Sequence, residues 1–229
     1  MTSADRVPQP KRHATWLLAL SIAAPASAGS LNVKVLDDHG QPVAGVAVYA
    51  VPADAGASAT AATPHDSPTA TMDQAHNAFV PHVLIVQAGT SVLFPNNDVV
   101  SHHVYSFSDA KSFEFPLYKG NAHPPLLFEK PGLVVLGCNI HDGMLGYILV
   151  VDTPHYAVTD RNGALALESL PAGDYALHVW TPRLKPGDIP ADQTVTIATA
   201  GDVARVYRLE GKLLPDHDQG SSSLTWQRY

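Results

Sequence analysis

The stretch "GCNIHDGM", residues 137–144, places the chain's only cysteine, Cys138, three residues before His141 and six before Met144. Further upstream, the pair His102-His103 follows the turn-rich run "NNDVVS". A thiolate, an imidazole and a thioether are all donors that soft or borderline metals accept. One more imidazole, from His102 or His103, completes a set of two nitrogens, one thiolate sulfur and one weak thioether sulfur. That set makes a trigonal copper site with a long axial methionine, a site that passes electrons rather than rearranging bonds. Taken alone, Cys138 would read as a small buried hydrophobe and Met144 as core filling; the joint spacing is what favours a metal. A Cys–His hydrolase would draw on the same residue types, but it has no use for Met144 and would need an oriented third group that the sequence does not show. Asp142 reads as a solvated turn residue of the same loop.

These donors have to be held by strands. After the first thirty residues the sequence alternates apolar and polar positions between turn signals, and no amphipathic helix stands out. Strands are expected at Leu31–Leu36, Val46–Val51, Val83–Gln87, Ser91–Pro95, His102–Phe107, Phe113–Leu117, Leu133–Cys138, Gly146–Asp152, Gln193–Ala198 and Ala204–Leu209. Gly89-Thr90, Lys130-Pro131-Gly132, Asp160-Arg161-Asn162-Gly163 and Pro171-Ala172-Gly173-Asp174 punctuate them as turns. Short strands at this spacing predict an all-β chain built of antiparallel sandwiches. Cys138 closes one strand on the face shared with Val134 and Leu136, and His102 opens another. Neighbouring strand residues face opposite ways, so only one of His102 and His103 points into the site.

Residues from about Met72 to Asp152 resemble the cupredoxins, the small blue copper proteins, plastocyanin and amicyanin in particular. Three features carry the resemblance in order: "FVPHVLIVQAGTSVLF", "NNDVVSHHV" and "CNIHDGM". The resemblance implies a Greek-key β-sandwich with one type 1 copper ion, held by His102, Cys138, His141 and axial Met144, with His103 the alternative to His102. His103 stands where the family usually carries an asparagine that ties the ligand loops together, which bears on the surroundings of the metal. The order "MDQ…F.PH…GT…FPN.D…HHVYSF…PG…LGCNIHD" more narrowly resembles exported cupredoxin-like proteins labelled methylamine utilization proteins. That likeness implies a periplasmic electron carrier, not an enzyme, and leaves the part of methylamine open. His141 is then the expected electron exit, with Leu145 and Gly146 in an apolar patch for transient docking of redox partners such as a dehydrogenase or a cytochrome. The alternative is a periplasmic copper-binding or copper-delivery protein without a carrier role.

The flanks read differently. "VKVLDDHGQPVAGVAVYAVP" resembles the opening strands of carboxypeptidase regulatory-like, transthyretin-like sandwiches, and "VTDRNGALALESLPAGDYALHVW" resembles their continuation. In between lie about a hundred residues, so the expectation is a smaller Ig-like or transthyretin-like sandwich into which the cupredoxin is inserted, or on which it is docked. Pairing of Leu31–Leu36 with strands beyond residue 156 would favour insertion, whereas pairing only with Val83–Gln87 would favour the competing reading, in which Val46–Val51 is the cupredoxin's first strand and the C-terminal domain stands alone. Domain bounds follow: 1–28 a signal peptide, 29–52 first strands of the flanking sandwich, 53–71 a flexible linker, 72–152 the cupredoxin, 153–210 the flanking sandwich and 211–229 a disordered tail.

Lys11, Arg12 and His13, an apolar run from Ala14 to Ala24 and then Ala26-Ser27-Ala28 have the form of a cleaved secretory signal. The run falls short of the ~20 residues that span a bilayer, so no membrane span is expected once the signal is removed. A formal net charge of −7 over 229 residues, with no basic stripe, leaves nothing to neutralise nucleic-acid phosphates.

Overall fold

The computed structural model describes residues 28–54, 69–185, 187–199 and 201–216. The expected signal peptide, apart from Ala28, and the tail beyond residue 216 lie outside the described residues. The structure is all-β: seventeen strands and no helix among the described residues. None of it is therefore a helix long and apolar enough to cross a membrane.

Strands β1 (Ala28–Leu36) and β2 (Ala47–Pro52) come first. In β1, Leu31, Val33 and Val35 point inward while Asn32 and Lys34 face solvent, the period-two pattern of a half-buried strand. The Asp37 carboxylate shapes the turn that follows by accepting the N–H groups of His39 and Gln41 at 2.9 and 2.7 Å.

Ten strands follow: β3 (Thr69–Thr71), β4 (Asp73–Ala75), β5 (Ala78–Val80), β6 (Val83–Gln87), β7 (Thr90–Leu93), β8 (His102–Ser108), β9 (Lys111–Tyr118), β10 (Leu126–Phe128), β11 (Gly132–Cys138) and β12 (Leu145–Val151). They form a five-stranded sheet in the order β6-β12-β11-β8-β9, a three-stranded sheet in the order β10-β7-β3, and the β4–β5 hairpin. Val92 and Phe128 from the smaller sheet pack with Val86, Val104, Val134, Leu136 and Ile148 from the larger one, and Cys138 and Met144 belong to the same core. The only proline inside this larger sheet, Pro116, sits in β9 at its edge, where a missing N–H costs no ladder bond.

The last five strands are β13 (Tyr156–Val158), β14 (Ala164–Pro171), β15 (Gly173–Trp180), β16 (Gln193–Ile197) and β17 (Asp202–Arg208). They pair with the first two. β1 lies between antiparallel β14 and parallel β17, and β2 lies between β13 and β15. Leu31, Val48, Leu170, Leu177 and Ile197 meet in their core. Every strand from β3 to β12 finds its partners inside that set, and β1 does not pair with β6. A third apolar cluster joins the two sets: Ala47 packs with Val83, Ile85, Leu149 and Val151, and Trp180 lies 5.4 Å from Tyr147 between ring centroids.

Two stretches differ from expectation. Thr69–Thr71, expected in a linker, is β3 and runs parallel to β7. Leu213 and Leu214, expected in a disordered tail, are tied down. Leu213 packs on the flanking core, and Leu214 exchanges hydrogen bonds with Arg183, its N–H to the Arg183 carbonyl at 2.7 Å and its carbonyl from Arg183 Nε at 2.9 Å.

Candidate metal centre

β11 brings Cys138 inward by alternation, after Val134 and Leu136, so the thiol ends the strand at the edge of the core. β8 does the same for His102, Val104 and Ser106, and it turns His103, Tyr105 and Phe107 to the other face. Cys138 stands opposite Val104 in the β8–β11 register, and the Asn139 N–H donates to the His103 carbonyl at 3.1 Å. This pairing sets His102 beside the cysteine, with Nδ1 3.6 Å from Sγ. The chain then turns through Gly143, whose φ of +83° is open to glycine at no steric cost. The Met144 N–H donates to the His141 carbonyl at 3.2 Å and closes the loop.

The ligand atoms of His102, Cys138 and His141 all lie within 4.8 Å of one another, and the two imidazoles are 5.0 Å apart between centroids. Met144 is buried in the same core cluster as Cys138. His103 stays out of this group: it faces the opposite side of the sheet, where its Nε2 lies 2.7 Å from Glu114 Oε1.

His102 is wholly enclosed, and its Nε2 lies 3.0 Å from Asp98 Oδ2. Burial pushes the Asp98 carboxyl up, but N–H donation from Asn77 and Val99 and the His102 ring outweigh it and hold the group down at about 2. His141 is partly exposed, yet its Nδ1 is buried and has no hydrogen-bond partner. A buried ring nitrogen left unpaired costs about 1–3 kcal/mol. Coordination of a metal through that nitrogen would remove the cost, and two imidazoles, a thiolate and a thioether are donors that suit copper.

Four other histidines, His76, His82, His123 and His155, stand elsewhere. His76 occupies a turn with φ of +55°. His82 approaches the Leu145 carbonyl with Nδ1 at 3.2 Å, and its ring meets Tyr147 edge-on. His123 stacks on Phe115 at 4.2 Å, and His155 belongs to the flanking strands, edge-on to Tyr175. None of the four belongs to the three-residue cluster. Of the expected docking patch, Leu145 is exposed, but Gly146 is buried beneath Phe79. Instead, the ligand-bearing loops present Val99, 85% exposed, and Ile140, 51% exposed.

Sequence reasoning passed over Asp98, although its place four residues before His102 was a usable signal. Met72 is a fully buried core residue, and Asp73 Oδ2 accepts from Asn97 Nδ2 at 2.9 Å. Gln74, also fully buried, donates from Nε2 to the Tyr118 hydroxyl at 2.5 Å. That hydroxyl donates on to the Phe94 carbonyl at 2.8 Å, and burial pushes it up to about 12.

No family model and no curated protein matches the sequence. Among solved structures, a purple cupredoxin from Nitrosopumilus maritimus is 21% identical over 37% of this chain and 100% of that one, with a TM-score of 0.32. A copper-containing nitrite reductase from Thermus scotoductus SA-01 is 29% identical over 44% of this chain and 25% of that one, at 0.34; this chain thus spans a quarter of that enzyme. A reduced Cu(I) form of an amicyanin variant is 19% identical over 45% of this chain and 99% of that one, at 0.33. At these scores the likeness adds nothing to what the geometry of the site supports.

Proposed function

We propose that the protein is a type 1 copper electron carrier of the periplasm, in which His102, Cys138 and His141 would hold the copper and Met144 would add a weak fourth donor. The observation that carries this reading is the convergence of one ligand atom each from His102, Cys138 and His141 within 4.8 Å of one another, beside a buried His141 Nδ1 that has no hydrogen-bond partner. Copper held by this set would supply a one-electron Cu(II)/Cu(I) couple. The chain's own part is to hold the donors rigid. Cys138 is fixed by the β11 ladder, His102 by β8 and Asp98, and His141 by the short turn to Met144.

His141 is the electron exit in this reading, since it alone of the three clustered donors reaches solvent. Val99, Ile140 and Leu145, exposed on the segments that carry or border the ligands, would offer redox partners apolar side chains suited to weak, short-lived encounters. Export rests on the N-terminal sequence pattern. The strand pairing supports reading residues 69–151 as a cupredoxin-like domain inserted between β2 and β13 of a split transthyretin-like sandwich.

The test is the visible absorption spectrum of the Cu(II)-loaded protein beside a Cys138→Ala control. The reading expects an intense thiolate-to-copper band that the control lacks. A pale spectrum, the same in both, would remove Cys138 from the site and the carrier role with it.

A further inference from the structure

We infer that Asp98 sets the tautomer and the donor strength of His102, and that the β4–β5 hairpin holds Asp98 in place to do so; the consequence for the metal rests on the copper reading above. A neutral imidazole carries one N–H and one lone pair, and the partner at one nitrogen decides which is which. His102 is fully buried, so water does not compete for that choice. The Asp98 carboxylate accepts the N–H groups of Asn77 and Val99, the role of an ionised acid with no proton to give, and His102 Nε2 lies 3.0 Å from its Oδ2. The proton therefore sits on Nε2, and the lone pair sits on Nδ1, the nitrogen 3.6 Å from Cys138 Sγ.

Asp98 is itself fixed. Its Oδ2 accepts from the Asn77 N–H at 2.6 Å, its Oδ1 from the Val99 N–H at 2.7 Å, and its own N–H donates to Asn96 Oδ1 at 3.0 Å. The Asn77 N–H is presented by a two-residue turn in which His76 and Asn77 both hold positive φ, 55° and 59°, the geometry of a tight hairpin turn. The same hairpin grips the loop twice more, where Asp73 Oδ2 accepts from Asn97 Nδ2 at 2.9 Å and the Gln74 carbonyl accepts from the Asn97 N–H at 3.0 Å. Residues 73–77 thus act as a strap across residues 96–98. A negative charge on the far side of the imidazole strengthens its donation to a metal and favours the higher oxidation state.

Two independent readouts test this. Nitrogen-15 NMR of the metal-free native protein, at mildly alkaline pH, should show His102 protonated at Nε2. Asp98→Asn, whose amide oxygen still accepts, should keep that tautomer, and Asp98→Ala should lose its preference for it. In the copper-loaded protein, Asp98→Asn should weaken Cu(II) binding by about 10–100-fold. It should also raise the reduction potential, each tenfold change in the Cu(II)/Cu(I) affinity ratio reading as about 59 mV for one electron. An Nδ1–H tautomer in the native protein would overturn the inference without any variant. So would a potential unchanged in Asp98→Asn. Loss of the thiolate band in the native protein would instead sink the copper reading and leave the tautomer result standing.

Discussion

Gly146 lies flat beneath Phe79: a Cβ on Gly146 would come within 2.7 Å of the Phe79 Cβ and 2.8 Å of its Cγ. Phe79 is fully buried on β5, so its base cannot swing away. Gly146 follows Met144 by two residues, and this contact therefore seats the end of the ligand loop against the β4–β5 hairpin.

Gly146→Ala should cost about 1–3 kcal/mol, the range for forcing extra volume into a packed core. Urea unfolding of the metal-free protein reads the loss directly. A variant as stable as the native protein would mean that the loop and hairpin can part freely.

His155 carries a pH dependence that does not involve the metal. Burial lowers its pKa below the ordinary 6.5, so the folded state prefers the neutral ring. Below 6.5 the unfolded chain binds the proton first and the folded chain later, so stability falls as pH drops through that window and levels off below the depressed value. Replacing His155 with glutamine should flatten that part of the curve of unfolding free energy against pH, measured on the metal-free protein. An unchanged slope would assign the dependence to another histidine.

What could be read in the sequence is what alternation encodes. Val83–Gln87 is found with its expected bounds, and the expected His102–Phe107 and Leu133–Cys138 are each longer by one residue. The pairing of β1 with β14 and β17 followed a split pattern of turn signals, because each half carries its own hairpin punctuation. The strands β4, β5 and β10 were not legible, since three residues are too few to show a period and their partners lie in the folded core. Of the candidate site, type and spacing singled out Cys138, His141 and Met144 and left His102 and His103 as alternatives, between which the resemblance favoured His102. Asp98 was left out because a carboxylate in an Asn-rich loop looks like turn chemistry until β8 turns the His102 ring towards it. Gln74 and Tyr118 were missed for a related reason: 44 residues separate them, and only the fold makes one the other's partner.

Met144→Leu separates core packing from ligation. The two side chains are close in volume, so the swap should cost less than about 1.5 kcal/mol of stability. If the thioether is a weak axial ligand, the thiolate band should survive while the reduction potential rises, because the axial donor tunes the couple more than it holds the metal. Cyclic voltammetry of the loaded variant decides it. A potential equal to that of the native protein would leave Met144 as core filling alone.

The choice between His102 and His103 is a matter of which face of β8 each occupies. His103 Nε2 meets Glu114 Oε1 across the outer surface at 2.7 Å, a contact partly open to solvent and therefore worth little to stability. His103→Ala should leave the visible spectrum of the copper-loaded protein and its Cu(II) affinity unchanged. His102→Ala should abolish the band, because it removes an imidazole whose Nδ1 sits 3.6 Å from Cys138 Sγ. The reverse pattern, with the band lost in His103→Ala and kept in His102→Ala, would require β8 to turn over by one residue. Such a slip would carry Val104 and Ser106 out of the core and Tyr105 and Phe107 into it. Phe107, now 76% exposed, would have to find a place among side chains that already fill that space, which makes the slip the costlier arrangement.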